Sequence, residues 1–187
     1  MIILNKYLII KFLPTLGEYQ TRNKYIPFNF FNVLLNFDLK RYEEVFEKIL
    51  EYSDMLKYII DEREEYNKFY KFYIRVLNEV GYNEYTEYDI EAITKGQVGN
   101  VHKVIFKKDV KDYLFNLSLK YKLVLLVDDF PSIMGSLKYN GVDKYFDNIY
   151  ITSCYGVKDY LELFELVKEK YNDYVYIDDY NELLKVI

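Results

Sequence analysis

Four short apolar runs, separated by longer segments with apolar residues at every third or fourth position, set the rhythm of the chain. The runs are "KYLIIKF" (6–12), "KLVLLV" (122–127), "NIYIT" (148–152) and "YVYI" (174–177). Continuous apolar runs of this length predict strands buried on both faces. Pro14 and Gly17 break the first of them. Between the first and second runs the spacing becomes helical. Val45, Ile49, Tyr52, Leu56 and Ile59 predict a helix over 39–61, and Tyr66, Phe69, Tyr73, Val76 or Leu77, and Val80 predict another over 63–80. Gly81 follows as a residue able to take positive φ beyond a helix end. "TEYDIEAITKG" predicts a third, shorter helix ending at Gly96. Residues 18–38 read as loop turning aromatic at "PFNFFNVLLNF", and 96–106 as a connection.

Beyond residue 109 helices and strands alternate. Asp109 can cap a helix that carries Val110, Leu114 and Leu117. A short helix is predicted around 132–139, ending near Gly141. Another spans 158–170 with Leu161, Phe164 and Val167 inward, and "NELLKVI" begins a last one. Alternating helices and strands predict a parallel sheet with crossovers on its faces. With the N-terminal strand added, the expected fold is α/β: a Rossmann-like four-stranded core from 1–17 plus 107–187, with a helical cap inserted over 18–106. In such sheets ligands bind beyond the carboxyl ends of the strands.

Composition narrows the partners. The 187 residues carry a formal charge of −5 with acids and bases interspersed, and no basic run suited to phosphate backbones, so nucleic acid is not expected. The 23 Tyr and 13 Phe read as a compositional bias rather than as a ligand code. "MIILNKYLII" is too short to span a bilayer and lacks a cleavage signal, so neither membrane nor export is expected. One cysteine, Cys154, permits no intrachain disulfide and fits a reducing cytoplasm. It reads as a structural thiol, because the only histidine, His102, lies far off in sequence and reads as a residue of the loop between cap and core.

The strand ends deliver the candidate chemistry. The first supplies Lys11, Leu13 and Thr15; the second Val127, Asp128 and Asp129; the third Thr152 and Ser153, then Gly156 and Lys158; the fourth Asp178 and Asp179. Paired carboxylates at a strand end suit Mg²⁺, which wants hard oxygen ligands. They equally suit solvated loop acids, or one acid capping the next helix.

The run from "YKLVLLVDDFPSIMGSLKYNGVDKYFDNIYITSCYGVKDYLELFELV" to "YVYIDD" resembles the haloacid dehalogenase superfamily of the helical-cap type. That resemblance implies a Mg²⁺-dependent hydrolase whose first motif, Asp-x-Asp-x-Thr, follows the first strand. Here the matching stretch is "KFLPTL". Lys11 stands in place of the nucleophilic Asp and Leu13 in place of the acid/base Asp, while Thr15 matches. Val127 stands where a Ser or Thr would hold the phosphoryl group, with Asp128 next to it. Lys158 matches the family's Lys, and Asp178 and Asp179 match its last motif. An ammonium cannot attack as a carboxylate does. It also repels a metal ion, by about 4 kcal/mol per unit charge at about 4 Å and a dielectric near 20.

No catalytic residue is therefore assigned. The expectation is a non-catalytic binding or regulatory protein without a cofactor, with Lys11 paired to Asp178 or Asp179 and also near Asp128. The alternative is an atypical Mg²⁺-dependent phosphatase-like hydrolase with Asp178 and Asp179 at the metal. A small anion beside Lys11 and Lys158, a protein partner docked on the cap helices, or a second copy paired along "YVYI" are the partners that fit. "LLVDDFPSIM" also resembles the start of a response-regulator receiver domain. The strands such a domain needs downstream have no room after residue 180, so that reading is set aside.

Overall fold

The structure, a computed structural model, describes residues 6–20, 23–99 and 103–187. In chain order the elements are β1 (Tyr7–Lys11), β2 (Gly17–Tyr19), α1 (Phe30–Val33), α2 (Leu39–Glu51), α3 (Glu62–Glu79), α4 (Glu87–Val98), β3 (Val104–Phe106), α5 (Val110–Ser118), β4 (Lys122–Val127), α6 (Ile133–Tyr139), β5 (Asn148–Ile151), α7 (Thr152–Tyr155), α8 (Tyr160–Val167), β6 (Tyr174–Ile177) and α9 (Tyr180–Val186).

The four apolar runs form one parallel sheet in the order β5-β4-β1-β6. β1 lies between β4 and β6, with Ile10 opposite Leu125 on one side and Ile177 on the other. Alternation along the strands builds two half-cores. Leu8, Ile10, Leu123 and Leu125 face α5, α6 and α9 through Leu114, Ile133 and Leu183. Ile9, Val124 and Leu126 face α8 through Leu163 and Val167. Burial on both faces is why the central strands β1 and β4 read as continuous runs; the edge strands β5 and β6 are only partly buried.

The helices between β2 and β3 make a cap with its own interior, built on Phe30, Val45, Ile49, Phe69, Tyr73 and Ile90. Their ends follow local chemistry. Asp38 accepts from the Arg41 N–H, Asp61 from the Glu64 N–H, and Thr86 with Asp89 forms a reciprocal box at the start of α4. One residue from the sheet side, Phe130, joins the cap interior, its ring 4.8 Å from that of Phe69 and perpendicular to it.

Several expectations are corrected. The helix expected over 39–61 stops at Glu51; a turn of 3₁₀ helix over Ser53–Leu56 follows, and Tyr58 takes a φ of 56°. Leu56 and Ile59 are buried all the same, so an apolar stripe continued past the end of its helix. Residues 17–19 and 104–106, expected to be loop, pair as an antiparallel ribbon, β2 with β3, at the two ends of the cap. A Cβ at Gly17 would lie 2.4 Å from the Ile105 carbonyl, so the close pairing requires a glycine. α4 runs past Gly96 to Val98. Asp109 precedes α5 but adopts φ 63°, and its side chain caps nothing. On α8 the inward positions are Leu163 and Val167, while Leu161 is 68% exposed. On α3 the buried stripe begins at Glu65 rather than at Tyr66. His102 lies outside the described residues. No helix among the described residues is long and apolar enough to cross a membrane.

Candidate functional site

The carboxyl ends of β4 and β5 lie beneath the cap. Beyond Val127, Asp128 and Asp129 turn into this space, and each meets a lysine from the cap side. Lys24 Nζ lies 2.5 Å from Asp128 Oδ1, and Thr152 at the end of β5 donates its hydroxyl to the same oxygen at 2.9 Å. Lys103 Nζ lies 2.9 Å from Asp129 Oδ1. Asp129 is fully buried and also accepts from the Phe130 N–H at 2.7 Å and the Tyr19 hydroxyl at 2.7 Å. The Tyr19 hydroxyl reaches the Asp128 carbonyl as well, at 2.9 Å. Lys103 and Gln97 both donate to the Lys24 carbonyl, which ties the two lysine-bearing segments together.

The electrostatics follow from this geometry. Burial, the largest single influence, would lower the Lys24 ammonium, but Asp128, Tyr25 and Asp129 together hold the group above its ordinary range. Burial, then the charge of Asp129, pushes the Tyr19 hydroxyl well up, so it remains a donor. One buried and one partly exposed carboxylate facing two ammonium groups, with further donors on the remaining lone pairs, form an arrangement in which buried charge is tolerated.

The residues singled out in the sequence are distributed differently. Lys11 ends β1, but its Nζ sits 4.9 Å from the centroid of the Tyr160 ring. Among the described residues it forms no ion pair, so the expected pairing with Asp178, Asp179 or Asp128 is not found. The aromatic face attracts the ammonium, and Asp128 is already taken by Lys24. Leu13 is buried, and its N–H donates to the Tyr160 hydroxyl at 3.2 Å. Thr15 is fully buried, with no hydrogen-bond partner for its hydroxyl among the described residues. Val127 lies in the sheet core. Lys158 pairs with Glu162 at 3.6 Å on the surface and lines, with Lys24, Phe130 and Thr152, a small cleft of about 40 Å³.

Asp178 is exposed, and Asp179 caps α9 by accepting from the Glu182 N–H at 2.8 Å. Oxygens of Asp178, Asp179 and Glu182 lie within 4.8 Å of one another, a spacing that a cation could use. The fit to Mg²⁺ at the position the resemblance implies fails nonetheless. Lys11 and Leu13 offer no side-chain oxygen there, and Asp179 spends one of its two on its helix. Cys154 is half-buried, and burial pushes its thiol up, away from the thiolate a nucleophile needs.

Sequence reasoning missed Lys24, Lys103, Tyr19 and Tyr160. Lys24 and Asp128 are 104 positions apart, and no local pattern links them. Glu65 did leave a signal, an acid at the head of an otherwise apolar helical stripe.

No protein-family model matches the chain, and no curated protein matches it in sequence. Solved structures do match. L-2-haloacid dehalogenase from Xanthobacter autotrophicus, with chloropropionic acid covalently bound, is similar at 14% identity and a TM-score of 0.56, over 92% of this chain and 69% of that one. A 2-haloacid dehalogenase from Pseudomonas syringae pv. Tomato is similar at 12% identity and a TM-score of 0.52, over 97% and 83%. A haloacid dehalogenase-like family hydrolase from Xanthomonas campestris is similar at 14% identity and a TM-score of 0.53, over 88% and 67%. With its parallel Rossmann-type sheet and inserted helical cap, the chain has the haloacid dehalogenase-like fold.

Proposed function

We propose that this protein is a non-catalytic member of its fold group, serving as a binding or regulatory protein. The observation that carries the reading is the end of β1. Lys11 and Leu13 occupy the positions where the fold's hydrolases present carboxylates, and the Lys11 ammonium rests on the Tyr160 ring. An amine there can neither attack a phosphorus or carbon centre as a carboxylate would nor ligate Mg²⁺. The ion pairs support the same reading: Asp128 and Asp129 are matched by lysines of the same chain. A small anion at the cleft mouth, where Lys57 and Lys158 sit in weak surface pairs, is the ligand class the charges favour.

The test is a phosphatase and dehalogenase screen with Mg²⁺, alongside thermal melts with and without the metal. Absence of turnover and an unchanged Tm are expected. A second reading, an atypical Mg²⁺-dependent hydrolase, draws on the spacing of Asp178, Asp179 and Glu182. Turnover abolished by Asp178→Asn would establish it and end the first.

A further inference from the structure

The lysines that neutralise Asp128 and Asp129 do not come from the sheet. Lys24 follows β2 and Lys103 precedes β3, so the two chain segments entering and leaving the cap each carry an ammonium to the end of β4. Three further contacts bridge the same two layers. The Ile59 N–H donates to the Ser153 carbonyl at 3.0 Å, and the Ser153 hydroxyl returns a bond to the Ile59 carbonyl at 3.2 Å. Glu65 of α3 accepts the N–H and the hydroxyl of Ser132, just ahead of α6. The Tyr58 ring covers Gly156, where a Cβ would lie 2.2 Å from its Cζ.

We propose that Lys24 and Lys103 form a built-in clamp that holds the cap closed over the sheet edge, so that the cap is a fixed layer and not a lid. The physical reason is the cost of opening. Swinging the cap away would break both ion pairs together, one of them to the Asp129 carboxylate, which has no exposed surface in the closed molecule. The same motion would pull Phe130 out of the cap interior and break the four hydrogen bonds at Ser132, Ser153 and Ile59. This inference rests on reading the site as one filled by the protein's own cations.

Amide hydrogen exchange, followed residue by residue, tests it. In the wild type the Ile59, Ser132 and Ser153 amides should exchange within about tenfold of those in β1 and β4, because all must await the same opening. Lys24→Met should speed the three interface amides at least about tenfold while leaving β1 and β4 slower, and Lys24→Arg should restore them. Should Lys24→Met fail to fold, Asp128→Asn, which removes the partner at a partly exposed position, gives the same readout. Interface amides that exchange far faster than the sheet in the wild type would overturn the clamp. So would acceleration in the variant that is equal across the sheet and the interface. Turnover in the phosphatase screen would end the non-catalytic reading without altering the exchange pattern, so the two failures are separable.

Discussion

Glu65 and Ser132 stand on opposite layers of the molecule, and the carboxylate of one accepts both the N–H (2.8 Å) and the hydroxyl (2.6 Å) of the other. Ser132 immediately precedes α6, so Glu65 fixes the start of that helix from across the interface. The bond has an electrostatic cost. Burial pushes the Glu65 carboxyl up to about 7, against the pull of the Ser132 donors and the nearby Lys103 and with a further push from Asp129.

That shift makes stability depend on pH in an unusual direction for an acid. The folded state holds the Glu65 proton more tightly than the unfolded chain, where the group titrates near 4.5. Its contribution is therefore complete below pH 4.5 and is lost as pH rises through about 7, a swing of about 3 kcal/mol. Glu65→Gln keeps an acceptor for Ser132 and carries no charge. Urea unfolding at pH 5 and pH 8 should show the variant gaining on the wild type by about that amount at the higher pH.

Breaking the buried ion pair should cost far more than breaking a surface one. Lys103→Met leaves the Asp129 carboxylate enclosed with only neutral donors, and a loss of about 3–5 kcal/mol in urea unfolding is expected. Lys158→Met, which removes an exposed pair of 3.6 Å, should change stability by less than about 0.5 kcal/mol.

Gly156 carries two constraints at once. It adopts φ 67°, and the Tyr58 ring lies where a Cβ would project. Gly156→Ala should lower stability by at least about 1 kcal/mol, seen as a reduced Tm. Adding Tyr58→Ala removes the collision but not the backbone strain, so the double variant should recover only part of the loss.

The Thr15 hydroxyl is buried and unbonded among the described residues, a group that lost its water on folding and received nothing in return. Thr15→Val keeps the shape and removes the orphan oxygen. Stability equal to the wild type or up to about 1 kcal/mol higher is expected from urea midpoints.

The sheet was legible because its central strands are buried on both faces and so spell uninterrupted apolar runs, "KLVLLV" most clearly. The β2–β3 ribbon was not. "GEY" and "VIF" are three residues each, too short for alternation to register, and their pairing spans the whole cap. The capping role of Asp179 was among the readings open at the sequence level, since an acid just ahead of a helical pattern is a local signal. The partners of Lys24, Lys103 and Lys11 were not legible. An ammonium on a long flexible stem is placed by tertiary packing, and the Lys11 register position opposite Leu126 says nothing of its turn toward the Tyr160 ring.

Phe130 leaves the second strand of the sheet and ends among the rings of Phe69, Phe72 and Tyr25. A single benzyl group sent from the sheet side thus completes the interior of the helical insertion. Excising the helical insertion to obtain a minimal sheet domain would strand that ring in water beside an unshielded carboxylate, so the insertion is part of what makes the remainder a protein at all.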